Sequence, residues 1–252
     1  MILVTGATGN VGYPLLANLE DAAVPAAAVV RTDAAAVDLP PRVQHVVGSL
    51  DDPPPPEVLQ QFDQVFLLSP DIESQAELEI AFIDALVAAG HRPRIVKMAY
   101  DGFQDPDCAV RFMHNHRLVA THVDRTGLPV VYLAPTMFME ELVGSTDAIR
   151  DEGLLPVPAG AARVALVAAR DVADVAAAVL AGKAEVDDGE VVVLTGPEAL
   201  SFADVADRIS SVFARVVEYA PVTPEVARSA LRADGLSAWQ VDGRLELYEW
   251  VS

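Results

Sequence analysis

The chain contains a single cysteine, Cys108, among its 252 residues. An intrachain disulfide is therefore excluded, and we expect the protein to work in a reducing compartment. Apolar runs fall well short of the ~20 residues that a membrane-spanning helix needs. The N-terminus leads straight into a strand pattern rather than a signal peptide. The chain has only five histidines and no Cys/His cluster, so we expect no metal site. These absences predict a soluble, cytoplasmic protein.

Basic residues are also scarce, because 17 Lys and Arg stand against 37 Asp and Glu and give a net charge of −20. Nucleic acid is not expected as a partner, since binding its phosphates requires clustered Lys and Arg. Any phosphate site must be built locally against this unfavourable field. Hydrophobic residues form 52% of the chain, which is enough for a sizeable core. The size and acidity of the chain are compatible with a homodimer.

The first twelve residues, M-I-L-V-T-G-A-T-G-N-V-G, contain the most informative motif. An apolar run at residues 2–4 is typical of a buried strand. Gly6, Gly9 and Gly12 follow it, and apolar residues at helical spacing come next. Unpaired N–H groups and the dipole at such a helix start form a phosphate site. We therefore predict that a dinucleotide binds here, with its pyrophosphate close to Gly9. The alternative is a structural turn that holds no ligand.

The residue after the second predicted strand helps to distinguish an NADP site from an NAD site. Residues 25–30 form that strand pattern, and Arg31 follows it. An arginine here accommodates the 2′-phosphate of NADP, whereas an acidic residue would bind the ribose hydroxyls of NAD. Arg31 therefore favours NADP, unless it is an ordinary surface charge. Asp33, two residues further on, leaves NAD open.

Strand and helix patterns alternate along the chain, which predicts a Rossmann-type, doubly wound parallel sheet of the α/β class. The predicted strands are 2–4, 25–30, 43–47, 62–69, 94–98, 129–133, 163–167, 190–194 and 216–219. The predicted helices start near residue 11 and then span 75–89, 108–126, 137–150, 170–181, 201–213 and 224–232. We interpret 1–136 as the NAD(P)-binding core. We interpret 137–252 as a small α/β substrate lobe that is interleaved with this core.

Several motifs together indicate a family. Besides T-G-A-T-G-N-V-G and Arg31, the chain carries T-G-L-P-V-V-Y-L-A-P at 126–135 and M-F-M-E at 137–140. It also carries D-V-A-D-V-A-A-A-V-L at 171–180 and V-V-L-T-G-P-E-A-L-S-F-A-D-V-A at 192–206. These residues resemble the NmrA-like atypical short-chain dehydrogenase/reductases over nearly the whole chain. That group includes quinone reductases, triphenylmethane-dye reductases and redox-sensing regulators.

The resemblance implies NADP(H) as the cofactor and assigns its binding residues. These are Gly6, Thr8, Gly9, Asn10, Val11, Arg31, Ser69 and Pro70. The chain departs from the usual Tyr-x-x-x-Lys dyad, because Phe112 stands at the tyrosine position and His116 at the lysine position. Phenylalanine cannot donate a proton, so the usual dyad is absent.

Three other residues are candidates for the missing acid–base chemistry. His116 would face the nicotinamide ribose and could titrate near neutral pH, or it is a satisfied helix histidine. His114 is a weaker candidate, since neighbours two apart on a helix point in different directions. Tyr100 follows the fifth strand and could donate to a developing oxyanion. Its alternative role is packing on Phe103.

Apolar residues near the strand ends are candidates for a substrate pocket: Phe103, Phe112, Met137 and Phe138. Core packing is an equally good interpretation of these side chains. The function we predict is NADPH-dependent reduction of a small, conjugated, apolar acceptor, quinone- or enone-like. One alternative is a non-catalytic NADP sensor that binds a partner protein. Another is a non-redox cyclase or isomerase on the same fold.

Overall fold

The computed structural model describes residues 1–251. Its strands are β1 Ile2–Val4, β2 Ala26–Val30, β3 Gln44–Val47, β4 Gln64–Leu67, β5 Arg94–Met98, β6 Val130–Pro135, β7 Leu154–Val157, β8 Arg163–Val164, β9 Val191–Leu194, β10 Leu200–Ser201 and β11 Glu218–Pro221. Its α-helices are α1 Gly12–Asp21, α2 Pro56–Leu59, α3 Gln75–Ala88, α4 Arg111–Thr126, α5 Thr146–Glu152, α6 Ala169–Leu180, α7 Phe202–Phe213, α8 Pro224–Ala233 and α9 Ala238–Trp250. Two 3₁₀ segments cover Asp33–Asp38 and Met139–Ser145.

Seven of these strands form one parallel sheet in the order β3-β2-β1-β4-β5-β6-β9. Successive strand residues point to opposite faces and bury side chains on both. On β4, Val65 and Leu67 join one core cluster, whereas Phe66 joins the other. Buried residues of α1 and α6 belong to the Phe66 cluster, and those of α3 and α4 belong to the other. This arrangement confirms the predicted doubly wound α/β fold.

The C-terminal half adds two small strand pairs beside the main sheet. β8 pairs with β10 in antiparallel fashion, and β7 pairs with β11 in parallel. β9 joins the main sheet next to β6. The second half of the chain is thus interleaved with the first, while the division at residue 136 stays a prediction. None of the helices within residues 1–251 has both the length and the apolar run needed to cross a bilayer.

Three sequence-based boundaries need correction. The predicted helix over 137–150 is instead a 3₁₀ segment followed by α5, and Glu140 in the 3₁₀ segment accepts from the start of α6. The predicted helix from residue 108 begins at Arg111. The predicted strand over 163–167 keeps two residues, β8. Four further elements, α2, β7, β10 and α9, were not predicted at all.

Candidate functional site

The glycine-rich turn lies at the carboxyl end of β1 and has room only for glycine at two positions. Gly6 adopts a φ of +64°, which favours glycine. A Cβ on Gly12 would lie 2.1 Å from the carbonyl oxygen of Gly6. The Thr5 hydroxyl donates to the Leu68 carbonyl at 2.7 Å. This bond fastens the turn to the chain that leaves β4.

A cleft of about 640 Å³ opens beside this turn. Most of the predicted cofactor residues line it, namely Gly6, Thr8, Gly9, Asn10, Val11, Ser69 and Pro70. Helix α1 begins here with no side chain capping its N–H groups and no acidic residue in its first turn. Such free N–H groups fit an anion such as a pyrophosphate. The cleft therefore has the size and the donors that a dinucleotide needs.

The wall of the cleft that faces the turn comes from the second half of the chain. It includes Phe138, Glu140, Glu141 and Arg244. Both carboxylate oxygens of Glu140 accept from the backbone N–H of Ala169 at 3.1 Å, at the start of α6. Glu141 forms an ion pair with Arg244. Both carboxylates are thus engaged within the protein, Glu140 by the N-terminus of α6 and Glu141 by a guanidinium.

Arg31 is exposed and lines a separate cleft of about 390 Å³ at the ends of β2 and β3. The loop after β3 contributes Ser49 and Asp51 to it. The hydrogen bond from the Ser49 hydroxyl, the backbone and the charge of Arg31 lower the pKa of Asp51. Asp33 is the acidic residue that kept NAD possible as the cofactor, and its Oδ1 lies 2.9 Å from His45 Nε2. The Arg31 guanidinium is therefore an exposed cation at the end of β2.

A buried polar cluster, which the sequence did not predict, lies next to the cleft. It consists of Ser69, Glu79, Lys97 and His116. Lys97 of β5 and Glu79 of α3 form an ion pair at 3.0 Å and are 1% and 0% exposed. The Ser69 hydroxyl donates to Glu79 Oε1 at 2.6 Å, and Lys97 Nζ lies 3.1 Å from His116 Nδ1. Ser69 joins this cluster to the cleft.

Burial dominates the ionisation of this cluster. It raises the pKa of Glu79 and lowers that of Lys97, and each is opposed by the partner's charge. Burial and the Lys97 charge hold the pKa of His116 well below its ordinary value. This shift favours the neutral imidazole of His116 over the titrating group that its position suggested.

Tyr100 lies between the cluster and a smaller cavity of about 230 Å³ that Met137 also lines. Its hydroxyl donates to Asp71 Oδ2 at 2.7 Å. Its ring centroid lies 5.5 Å from that of His116 and 6.2 Å from that of Phe112. Burial raises the pKa of Tyr100 well above its ordinary value, with a further contribution from Asp71. The phenol therefore keeps its proton and can act as a donor.

The remaining candidates are spread over different surroundings. His114 is exposed, and its Nδ1 lies 3.3 Å from an Arg117 nitrogen. Phe103 and Phe112 are both 1% exposed and belong to the core. Phe103 packs against Tyr132, with ring centroids 5.2 Å apart, and its backbone N–H donates to the Tyr100 carbonyl.

One sequence signal could have revealed the buried cluster. Lys97 stands inside the apolar strand R-I-V-K-M, and the chain has one other lysine, Lys183. A lysine in a strand that is buried on both faces requires a partner, since an unpaired buried charge is costly. The partner, Glu79, could not be identified in this way, because a glutamate in a helix pattern is expected at the surface.

Comparisons with known proteins agree with this geometry. The model of the NmrA-like family matches residues 1–249. The chain is 32% identical to an NAD(P)H azoreductase of Xenophilus azovorans over 98% of this chain and 86% of the relative. It is 31% identical to a (4-alkanoyl-5-oxo-2,5-dihydrofuran-3-yl)methyl phosphate reductase of Streptomyces griseus subsp. griseus over 92% and 81%.

Among solved structures, the fold matches an NADPH complex of an NADPH-dependent quinone oxidoreductase from Escherichia coli. The TM-score is 0.85 at 21% identity, and the match covers 100% of this chain and 89% of the other. Together with the family model, which spans nearly every residue of the sequence, these matches show that the chain belongs to the NmrA-like family.

Proposed function

We propose that this protein is an NADPH-dependent reductase of small, conjugated, apolar acceptors such as quinones or enones. The observation that carries the proposal is the cleft formed by the glycine turn and the Ser69–Pro70 segment. Its relatives include two reductases more than 30% identical to it, an NAD(P)H azoreductase and a reductase of a dihydrofuranone. Azo groups and unsaturated lactones are both conjugated electron acceptors, which supports this substrate class.

The residues of the cleft fit a dinucleotide. The backbone N–H groups of Gly9, Asn10 and Val11 would hold the pyrophosphate at the start of α1. Arg31 would bind the 2′-phosphate and so favour NADPH over NADH. Phe138, on the facing wall, would cover the cofactor and exclude water. NADPH, when bound, would supply a hydride.

The acceptor would lie against the smaller cavity that Tyr100 and Met137 line. A conjugated acceptor needs an apolar wall and less proton donation than a simple ketone. The Tyr100 hydroxyl would turn from Asp71 and donate its single proton to the oxygen or nitrogen that gains charge. Water or the imidazole of His116 could take this role instead. The absence of the usual dyad is compatible with such chemistry.

The direct test is NADPH oxidation by the purified protein with a panel of quinones, enones and azo dyes. We expect turnover with NADPH above the rate without protein. Tyr100→Phe keeps the ring that packs on Phe112 and His116, so kcat should fall by about 10²-fold while the KM for NADPH changes little. Tyr132→Phe is the matched control, because the Tyr132 hydroxyl has no hydrogen-bond partner within the described residues.

Three outcomes would count against this assignment. NADPH binding without turnover on any acceptor would favour the sensor. Turnover without nicotinamide would favour a cyclase or isomerase. Equal activity of Tyr100→Phe and Tyr132→Phe would remove Tyr100 from the mechanism.

A further inference from the structure

Lys97 lies where β5, α3 and α4 meet, and its ammonium is used in three directions. It forms the ion pair with Glu79, donates to the Met98 carbonyl, and approaches His116 Nδ1. A protonated lysine has three donors and no acceptor. The contact between the two nitrogens is therefore a donation from Lys97 into the lone pair of Nδ1.

The surroundings of Glu79 support the charged form of this lysine. Oε1 of Glu79 accepts from the Ser69 hydroxyl, and Oε2 faces the ammonium. Burial disfavours both charges, and each charge is supported by the opposite charge of its partner at 3.0 Å. Neutralising one member of the pair alone would leave the other charge buried without compensation.

We propose that Lys97 is a positioning residue that holds His116 as the neutral imidazole with its proton on Nε2. Since Nδ1 accepts from Lys97, a neutral ring carries its proton on the other nitrogen. Nε2 has no hydrogen-bond partner within the described part of the chain, so it is a free donor. The same lysine, through Glu79 and Ser69, joins this donor to the cofactor cleft. The use of the donor in catalysis rests on the proposed function, whereas the tautomer does not.

The titratable and charged groups around His116 come from three elements packed against it. Lys97 approaches it from β5, and the Tyr100 ring packs on it from the loop after β5. Glu79 on α3 and Asp71 after β4 act on it through these two side chains. Burial and the Lys97 charge lower the pKa of His116, and burial keeps the Tyr100 phenol protonated. His116 therefore stays a neutral donor across the physiological pH range.

The tautomer can be measured directly by ¹⁵N NMR of protein labelled at histidine. The other four histidines, His45, His91, His114 and His122, are exposed or half-buried, so their signals can be assigned by single replacements with glutamine. We expect the His116 signal to show a proton on Nε2 and no titration between about pH 5.5 and 8. A proton on Nδ1, or an ordinary titration near pH 6.5, would overturn the proposal.

A double variant, Lys97→Met with Glu79→Gln, removes both charges and so avoids a lone buried ion. We expect the pKa of His116 to rise by about one unit or more and its fixed tautomer to be lost. With an acceptor found, kcat should fall at least about tenfold while the KM for that acceptor is little changed. Lys183→Met is the control, because this other lysine is exposed, and it should leave both readouts unchanged.

The readouts separate this proposal from the proposed function. If no acceptor is turned over, the reductase assignment fails, and the NMR signals still decide the role of Lys97. If the double variant does not fold, the wild-type tautomer alone confirms or refutes the proposal. An unchanged pKa and tautomer in a folded double variant would refute it.

Discussion

Replacing Gly12 by alanine is the most direct test of the glycine turn. The added Cβ would lie 2.1 Å from the Gly6 carbonyl oxygen, 2.8 Å from its carbon and 3.0 Å from the Cα of Ala7. These are backbone atoms, fixed by the hydrogen bond from Gly9 N–H to Gly6 O, and they cannot rotate away as a side chain could. Overpacking of this kind costs about 1–3 kcal/mol. In a chain of this size the melting temperature should fall by about 2–12 °C.

The same variant should weaken cofactor binding, because the displaced turn carries the N–H groups that face the cleft. A loss of about 1.4 kcal/mol in the bound state corresponds to a tenfold higher Kd for NADP⁺, measurable by titration calorimetry. Gly144→Ala is the matched control. Gly144 lines the same cleft, but its Cβ would meet only the Asp234 carboxylate at 3.5 Å. Gly12→Ala behaving like this control in both assays would refute the reasoning.

Two further substitutions test other parts of the molecule. A Cβ on Gly243 would lie 2.4 Å from the ring of Phe112. Gly243→Ala should therefore lower the free energy of unfolding, measured in urea, by about 1–3 kcal/mol. An unchanged urea midpoint would show that α9 can shift without cost. Arg31→Ala should raise the Kd of NADP⁺ at least about tenfold, since a charge-assisted hydrogen bond contributes about 1.5–3 kcal/mol. The affinity for NAD⁺ should stay the same, and parallel losses for both cofactors would argue against a 2′-phosphate contact.

The sequence predicted the first half of the fold well for a physical reason. Strands buried on both faces appear as short apolar runs between glycine or proline stops, and β5 matches the predicted 94–98. The C-terminal glycine of α4 was equally visible, since Gly127 has a φ of +66°. In the second half, the capping box of Ser201 and Asp204 marked the start of α7 in the same way.

The second half was less visible because tertiary contacts decide its structure. Helix α9 contains Gly243, a poor helix former, which the ring of Phe112 nevertheless requires for close packing. The local sequence pattern therefore does not predict this helix. The roles of Arg244, which lines the cleft, and Trp250, which lines the smaller cavity, were missed for the same reason. The binding residues at the glycine turn could be proposed from the opening motif, whereas Ser69 and Pro70 came from the family resemblance. The surroundings of His116 could not, because Glu79 and Lys97 come from distant parts of the chain.

The acidity of the chain and the proposed anionic cofactor can be reconciled by the local arrangement of charge. At a net charge of −20, long-range forces oppose the approach of a phosphate. Within the cleft, however, Glu140 is held by the start of α6 and Glu141 by Arg244. Backbone dipoles at α1 act over the short distances at which a bound pyrophosphate would lie. Because the charge of Glu141 is compensated by Arg244 and the carboxylate of Glu140 is turned toward the positive end of the α6 dipole, both glutamates are better understood as parts of the fold than as obstacles to binding.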